Sequence, residues 1–357
     1  MPHGKRGRRA TGILPTMHRA LEPFRIGDIE VGMRVVLAPL AGYTDMAFRR
    51  ICRRLGAPYV ATEMLLDTSV LTRGKLRRRL MSVADDEHPV AAQLIGNDPE
   101  TMAAAAAVAC EAGFDAIDLN FACPVRKALR RGRGGHLMRE PDRAVEIVRA
   151  VVGAVDRPVT LKLRRRFGND DTDHAFHRIA ERAFDAGAAA VCAHARSVEQ
   201  RYAGPADWGF LRGVRRRYPD RTILGSGDVH APPDALRMLD ETGVDAVSAA
   251  RGALGNPWFF RQVRALAAGR EPSRPSLAEQ RALLAEHFDA ACALYGPRRG
   301  PRMMRKFGIK YAKMHPSARR VRMAFVDVRR PEQWHEALDR LYPPGSSNPT
   351  TTEERDP

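Results

Sequence analysis

The chain has 357 residues, 44% of them hydrophobic, and a formal net charge of +17. It can bury a large core with a smaller domain beside it, which excludes a disordered chain. The charge favours polyanionic partners, nucleic acid or an anionic membrane surface, while no run reaches the ~18 uninterrupted apolar residues of a spanning helix.

Residues 1–20 begin MPHGKRGRRATG, basic and leading into no apolar segment, so they read as a flexible arm and not a secretory signal. From 35 to 255 one unit repeats: a short apolar run, a polar or glycine-bearing turn, then a helical stretch. Strands are predicted at 35–37, 59–62, 90–94, 116–119, 159–163, 191–194, 222–224 and 246–249. Helices are predicted between them at 46–55, 99–112, 141–155, 174–186, 210–218 and 232–242. Such alternation makes a parallel sheet, and eight units close into an α/β fold of the TIM (β/α)8 type. A doubly wound open sheet is disfavoured because no GxGxxG turn follows the first strand.

Beyond Gly255 the pattern changes. EPSRPSL at 271–277 reads as a linker, and 278–294, 303–313 and 331–341 read as helices of a small α-helical domain. The expected organisation is an arm at 1–20, a barrel at 21–265, a helical domain at 271–342 and a disordered tail at 343–357, rich in Pro, Ser and Thr. Arginine-rich runs at 75–79, 126–133, 164–166, 215–217, 298–306 and 319–322 point to a phosphate-binding surface, each run alone being also consistent with a solvated face.

Five cysteines, Cys52, Cys110, Cys123, Cys192 and Cys292, include no CxxC pair. The odd number and wide spacing argue against a disulfide framework and a structural zinc, and for a reducing compartment. A cytoplasmic location is expected, with no bound metal and no membrane association.

In a TIM barrel function sits at the carboxyl ends of the strands. The residues expected just past them are Pro39-Leu40-Ala41-Gly42, Glu63, Gln93, Asn120 with Cys123, Lys162, His194, Ser226-Gly227-Asp228 and Ala250-Arg251-Gly252. GSGD and ARGALGNP follow the seventh and eighth strands, where such barrels bind phosphate; the glycines equally suit tight turns alone. Lys162 in VTLKLR and Gln93 in AAQLIG are polar side chains in apolar runs, costly to bury without a partner. With His194 they suggest a flat heterocycle carrying a phosphate tail, although each singly is also consistent with a satisfied core group. Cys123, in NFACPVRKALRRGRGG, lies where a thiol does chemistry; as a proton donor it has to remain a thiol until the reaction. Cys110 and Cys192 read as structural.

The segments LAPLAGYTDMAFRR, AAQLIGNDPE, IDLNFACPVRKALRRGRGGHLMREP, VTLKLR, HARSVEQRYAGPADW, ILGSGDV and ARGALGNPWFF resemble the tRNA-dihydrouridine synthases, nearest the bacterial B-type branch. RMMRKFGIKYAKMHP resembles that family's helical segment. The resemblance implies an FMN-binding barrel, NADPH as reductant, tRNA as substrate and tRNA-holding helices at 271–342. It implies that Pro39, Leu40, Ala41, Gln93 and Lys162 face the flavin ring with His194 a nearby ligand, that Ser226, Gly227, Asp228, Ala250 and Arg251 form phosphate turns, and that Cys123 is the catalytic acid. Asn120, Glu63, Arg164 and Arg196 are candidates to touch cofactor or substrate. A monomer without an obligate protein partner is expected. Three positions depart from the family pattern: Ala122 and Ala250 where glycine is usual, and Ser226 where asparagine is usual. Ala122 would tighten its loop if that position required φ > 0. Two rival readings are an FMN barrel acting on a small pyrimidine or other small molecule, and an RNA-binding protein with an inactive barrel.

Overall fold

The computed structural model describes residues 17–168 and 172–344. Most of the expected arm (1–16) and tail (345–357) lies outside the described residues.

The described chain opens with a hairpin that the sequence reading missed, β1 (Phe24–Ile26) and β2 (Ile29–Val31), turning at Gly27-Asp28. Phe24, Ile26 and Val31 point inward and pack on Tyr59, Ala61, Ala91, Ala116, Ala190 and Ala246 at the base of the barrel. Small alanines leave room there, and the hairpin plugs it. Gly27 is needed at this contact: its φ is +60°, and a Cβ would lie 2.9 Å from the Pro158 ring.

Among the described residues eight parallel strands form the barrel wall: β3 (Val35–Leu37), β4 (Val60–Ala61), β6 (Val90–Ile95), β7 (Ala116–Phe121), β8 (Val159–Arg164), β9 (Ala190–His194), β10 (Thr222–Ser226) and β11 (Ala246–Ala249). Their order is β3-β11-β10-β9-β8-β7-β6-β4, and the Leu37 N–H donates to the Tyr59 carbonyl at 3.0 Å across the remaining seam. A short β5 (Leu65–Leu66) extends the pairing of β6. This is a TIM (β/α)8 barrel, the expected class. Several strands run further than predicted. Asn120, Arg164 and Ser226 thereby lie within strands, as Gln93 and Lys162 do, because parallel neighbours complete their ladders to the rim.

The helices around the wall are α1 (Met46–Arg54), α2 (Asp67–Leu71), α3 (Lys75–Leu80), α4 (Pro99–Glu111), α5 (Arg126–Leu129), α6 (Pro141–Ala154), α7 (His174–Asp185), α8 (Trp208–Arg217), α9 (Pro232–Thr242) and α10 (Phe259–Ala267). Their starts follow capping chemistry: Asp45, Asp98 and Asp207 each accept a backbone N–H of the first turn. Short α2 and α3 carry too few apolar residues at helical spacing to be legible in advance. No helix of the described residues is long and apolar enough to cross a membrane.

Four further helices follow: α11 (Leu277–Tyr295), α12 (Gly300–Tyr311), α13 (Ala318–Val326), absent from the sequence prediction, and α14 (Pro331–Leu341). Helix α11 packs on α1, and α12 lies on α11. The joint is aromatic, with His287 stacked on Phe48 and edge-on to Phe307. His287 is fully buried and its Nδ1 meets the Tyr311 hydroxyl at 2.9 Å. Burial, with the charge of Lys306 second, drops its pKa from 6.5 to about 3. A depressed histidine stabilises the fold above its unfolded pKa and loses that contribution as pH falls from 6.5 towards 3. Moving from pH 8 to pH 5 therefore removes about 2 kcal/mol at this site, at 1.36 kcal/mol per pKa unit. Thermal melts of wild type and His287→Gln read the difference: the variant loses less stability over that range.

Candidate active site

Residues from seven strand ends converge on one cavity of about 480 Å3 at the carboxyl rim of the barrel. Its walls include Pro39, Leu40, Ala41, Gln93, Asn120, Cys123, Lys162, Arg164, His194, Ser226, Gly227, Asp228, Ala250 and Arg251. Met64, Ser248 and Tyr202 also line it, and the sequence reading did not single them out.

Three adjacent strands build its floor. Asn120 on β7 accepts the N–H groups of Ala122 (3.1 Å) and Cys123 (2.9 Å), and its amide donates to Gln93 Oε1 on β6 at 2.8 Å. Gln93 Nε2 donates to Asp118 at 2.7 Å, and the other Asp118 oxygen accepts from Thr160 on β8 at 2.8 Å. The chain Thr160–Asp118–Gln93–Asn120 sets the Gln93 amide and the turn presenting Cys123 in one piece. Asp118 was missed, although its sequence signal, a carboxylate inside IDLN, is of the same kind as Lys162. Burial pushes its carboxyl pKa up, against hydrogen bonds from Gln93 and Thr160 and the charge of Lys162. Lys162 faces the cavity, and its ammonium makes no hydrogen bond or ion pair among the described residues.

Behind Cys123 the chain returns through α5 and folds against it. Gly134, at φ +61°, brings its Cα so close that a Cβ would stand 2.8 Å from Cys123 Cβ. The Gly135 N–H donates to the Cys123 carbonyl at 3.0 Å. The glycines of RGRGG thus permit a close backbone approach. Burial raises the thiol pKa above 9.0, outweighing a Val125 backbone hydrogen bond and the charge of Arg164. The neighbouring arginines do not make it a thiolate. Ala122 is buried and is not among the positive-φ residues, so the alanine introduces no strain there.

Arg164 lines the cavity but spends its guanidinium on the carbonyls of Ala122 (2.8 Å), Ser197 (2.7 Å) and Arg201 (2.9 Å). Burial lowers its pKa to about 10. It therefore ties the Cys123 turn to the loop after β9 more than it offers donors to a ligand. His194 Nδ1 meets Ser226 Oγ at 3.2 Å, while its buried Nε2 has no partner. Burial, then Arg164, Lys162, Arg196 and Arg251, hold the ring well below 6.5, so it is neutral at pH 7.

The turn after β10 has its own scaffold. Asp228 sits at φ +54° and pairs with Arg196 and with Arg251 (3.2 Å), while its second oxygen accepts the Ala206 N–H at 2.7 Å. Burial would raise this carboxyl, but those partners bring it to about 2. Trp208 Nε1 donates to the Gly227 carbonyl at 3.0 Å. Gly227 has φ +134°, and a Cβ would lie 2.7 Å from Ala206. The GPADW segment is thereby explained: it props the Ser226-Gly227-Asp228 turn, whose backbone faces the cavity. With its carboxylate engaged, Asp228 does not repel an anion.

Two of the candidate residues, Glu63 and Arg196, are not part of the cavity wall. Glu63 lies outside the cavity wall and accepts the Gly42 N–H at 2.7 Å, shaping the turn after β3 from behind. Arg196 is 2% exposed and bonds to Gly204 and Asp228, also outside the wall. Strand-end position put both near the rim, but their side chains are turned towards polar partners of adjoining loops. The Gly42 turn is held from the helical side too, since Lys306 donates to its carbonyl and the Tyr295 hydroxyl donates to Asp45 at 2.8 Å. No cluster of three or more metal-ligating side chains occurs among the described residues.

The barrel defines a class. It superposes on the old yellow enzyme from Trypanosoma cruzi (TM-score 0.53, 14% identity, 69% of this chain and 92% of that one). It also superposes on morphinone reductase in complex with tetrahydroNAD (TM-score 0.52, 17% identity, 71% and 92%). At this identity the likeness is one of fold. Within the class, the family model of Dihydrouridine synthase matches residues 36–342. The chain is 38% identical to tRNA-dihydrouridine synthase B of Xanthomonas campestris pv. campestris, over 86% of this chain and 92% of the relative. It is also 38% identical to a probable tRNA-dihydrouridine synthase of Mycobacterium tuberculosis strain H37Rv, over 90% and 86%. The chain belongs to the dihydrouridine synthase family, in its B-type branch.

Proposed function

We propose that this protein reduces selected uridines in tRNA to 5,6-dihydrouridine, with FMN held in the rim cavity and NADPH as the reductant. The observation that carries the reading is the Cys123 thiol kept protonated at the edge of a cavity whose floor presents Gln93 and an unpaired Lys162.

The residues fit a flat cofactor with an anionic tail. Pro39, Leu40 and Ala41 offer an apolar wall, and Gln93 an amide edge. Lys162 provides a positive charge that makes no direct ion pair among the described residues, and His194 Nε2 a buried polar atom that lacks a partner. The glycine-bearing turns at Ser226-Gly227-Asp228 and Ala250-Arg251 suit the phosphate. FMN held by these residues and reduced by NADPH would supply the hydride for C6 of the uracil. Cys123 holds the proton for C5, and its raised pKa keeps that proton in place at neutral pH. Asn120 orients the turn carrying the thiol. The target base has to leave its stack, at a cost of a few kcal/mol, which the basic surface and the helices at 271–342 offset by gripping the tRNA backbone.

The decisive experiment uses the purified protein. The released cofactor is identified by chromatography. tRNA from a strain lacking the gene is then incubated with the protein and NADPH or NADH, and dihydrouridine is mapped. The expected result is released FMN, new dihydrouridine at defined positions and preference for NADPH. A colourless protein that binds tRNA without changing it would overturn the reading. The protein is expected to be a cytoplasmic monomer, and gel filtration with light scattering checks its oligomeric state.

A further inference from the structure

Beside the rim cavity lies a second, more open cavity of about 720 Å3, sharing with it only Pro124 and Tyr202. We propose that it seats a nucleotide adjacent to the target uridine in the tRNA strand, as a stacking and phosphate-binding subsite that sets how tightly tRNA is held. The inference rests on the tRNA-reducing function above.

Three features carry it. The first is an aromatic–guanidinium platform: Arg139 lies 3.9 Å over the ring of Phe167, and exposed Tyr202 stands at the partition between the cavities with Arg251 5.3 Å over its ring. Planar guanidinium and aromatic faces are the surfaces on which unstacked RNA bases lie. The second is charge. Arg126, Arg139 and Arg201 line this cavity and are exposed. Its acidic member, Glu199, is engaged by the Gly168 N–H at 2.6 Å. None of these arginine side chains forms an ion pair among the described residues, and a phosphate is what they lack. The third is continuity. Pro124 and Tyr202 wall both cavities, so a nucleotide next to a base extruded into the rim cavity is within reach of the second one along the strand. The volume falls within the range of small-ligand sites, about 300–1,000 Å3, and admits a nucleotide.

The test compares Phe167→Ala, Phe167→Tyr and Arg139→Ala with wild type in two assays. One is flavin reduction by NADPH without tRNA, which none of the three should alter and which reports an intact fold. The other is steady-state dihydrouridine formation on tRNA at several salt concentrations. Phe167→Ala is expected to raise KM for tRNA by about 5- to 150-fold, the size of one lost base-stacking contact, with kcat changed far less. Phe167→Tyr keeps the ring and stays at the wild-type KM. Arg139→Ala reduces the slope of log KM against log salt by about 0.7, one phosphate contact fewer on a single strand. A wild-type KM for tRNA in both alanine variants would overturn the proposal. So would a KM raised for NADPH alone, which makes the cavity a nicotinamide site. Exposed Arg139 keeps the test open if Phe167→Ala fails to fold. Failure of the wild type itself to make dihydrouridine would overturn the underlying function instead.

Discussion

Cys123→Ala is expected to keep its flavin and its NADPH-driven flavin reduction while dihydrouridine formation drops about 10²- to 10⁴-fold, the usual contribution of a positioned general acid. The substitution is structurally mild. The backbone at Cys123 is held by Asn120 and by the Gly135 N–H, neither of which uses the sulfur. Removing the thiol therefore removes a proton and little else. The pH profile gives a second reading. Burial raises the thiol pKa above 9.0, so the uridine-reducing step should be flat through neutral pH and fall as pH rises past that value. Single-turnover measurements with pre-reduced protein separate this step from flavin reduction. An unchanged single-turnover rate in Cys123→Ala would remove the thiol from the mechanism.

Arg196→Ala has the largest expected effect on stability. Arg196 is nearly fully buried, its partner Asp228 is only partly exposed, and Asp228 occupies a left-handed backbone conformation that such pairing helps to hold. Loss of the guanidinium leaves the carboxylate with Arg251, His230 and the Ala206 N–H. The cost is about 2–4 kcal/mol, towards the lower end for breaking a buried ion pair because that second arginine remains. Denaturant unfolding measures it. Weaker flavin retention should accompany it, since the Ser226-Gly227-Asp228 turn loses a prop, whereas a stability change below about 0.5 kcal/mol, usual for surface sites, would show that Arg251 suffices. The pair has a pH signature as well. Asp228 is depressed to about 2, so its contribution is present above pH ~4 and is lost as pH falls towards 2.

The barrel was legible because its code is local. Apolar runs such as VVL and VAAQLI, separated by helices capped by Asp45, Asp98 and Asp207, define alternating strands and helices without knowledge of distant contacts. Gln93 and Lys162 stood out for a similar reason: a polar side chain in an apolar strand is expensive without a purpose. What escaped was short or paired at a distance. The β1–β2 hairpin has three-residue strands, and α13 is a nine-residue helix within a basic stretch. Asp118 matters through Gln93 and Thr160, its neighbours on adjacent strands, and no sequence window contains all three.

The sequence by itself determined the class of fold and the family, and it marked Cys123 among five cysteines as the one that the structure brings to the rim cavity. Periodicity, turn composition and the cost of buried polar groups are properties of short segments, so they survive without coordinates. Only the tertiary structure decided which rim residues face the cavity. It turned Glu63 and Arg196 away to brace the turns, spent most of Arg164 on carbonyls, gave GPADW its task and opened a second cavity beyond Tyr202. Those outcomes depend on which donors and acceptors meet when segments tens of residues apart pack together, and that choice is made by the closed barrel as a whole.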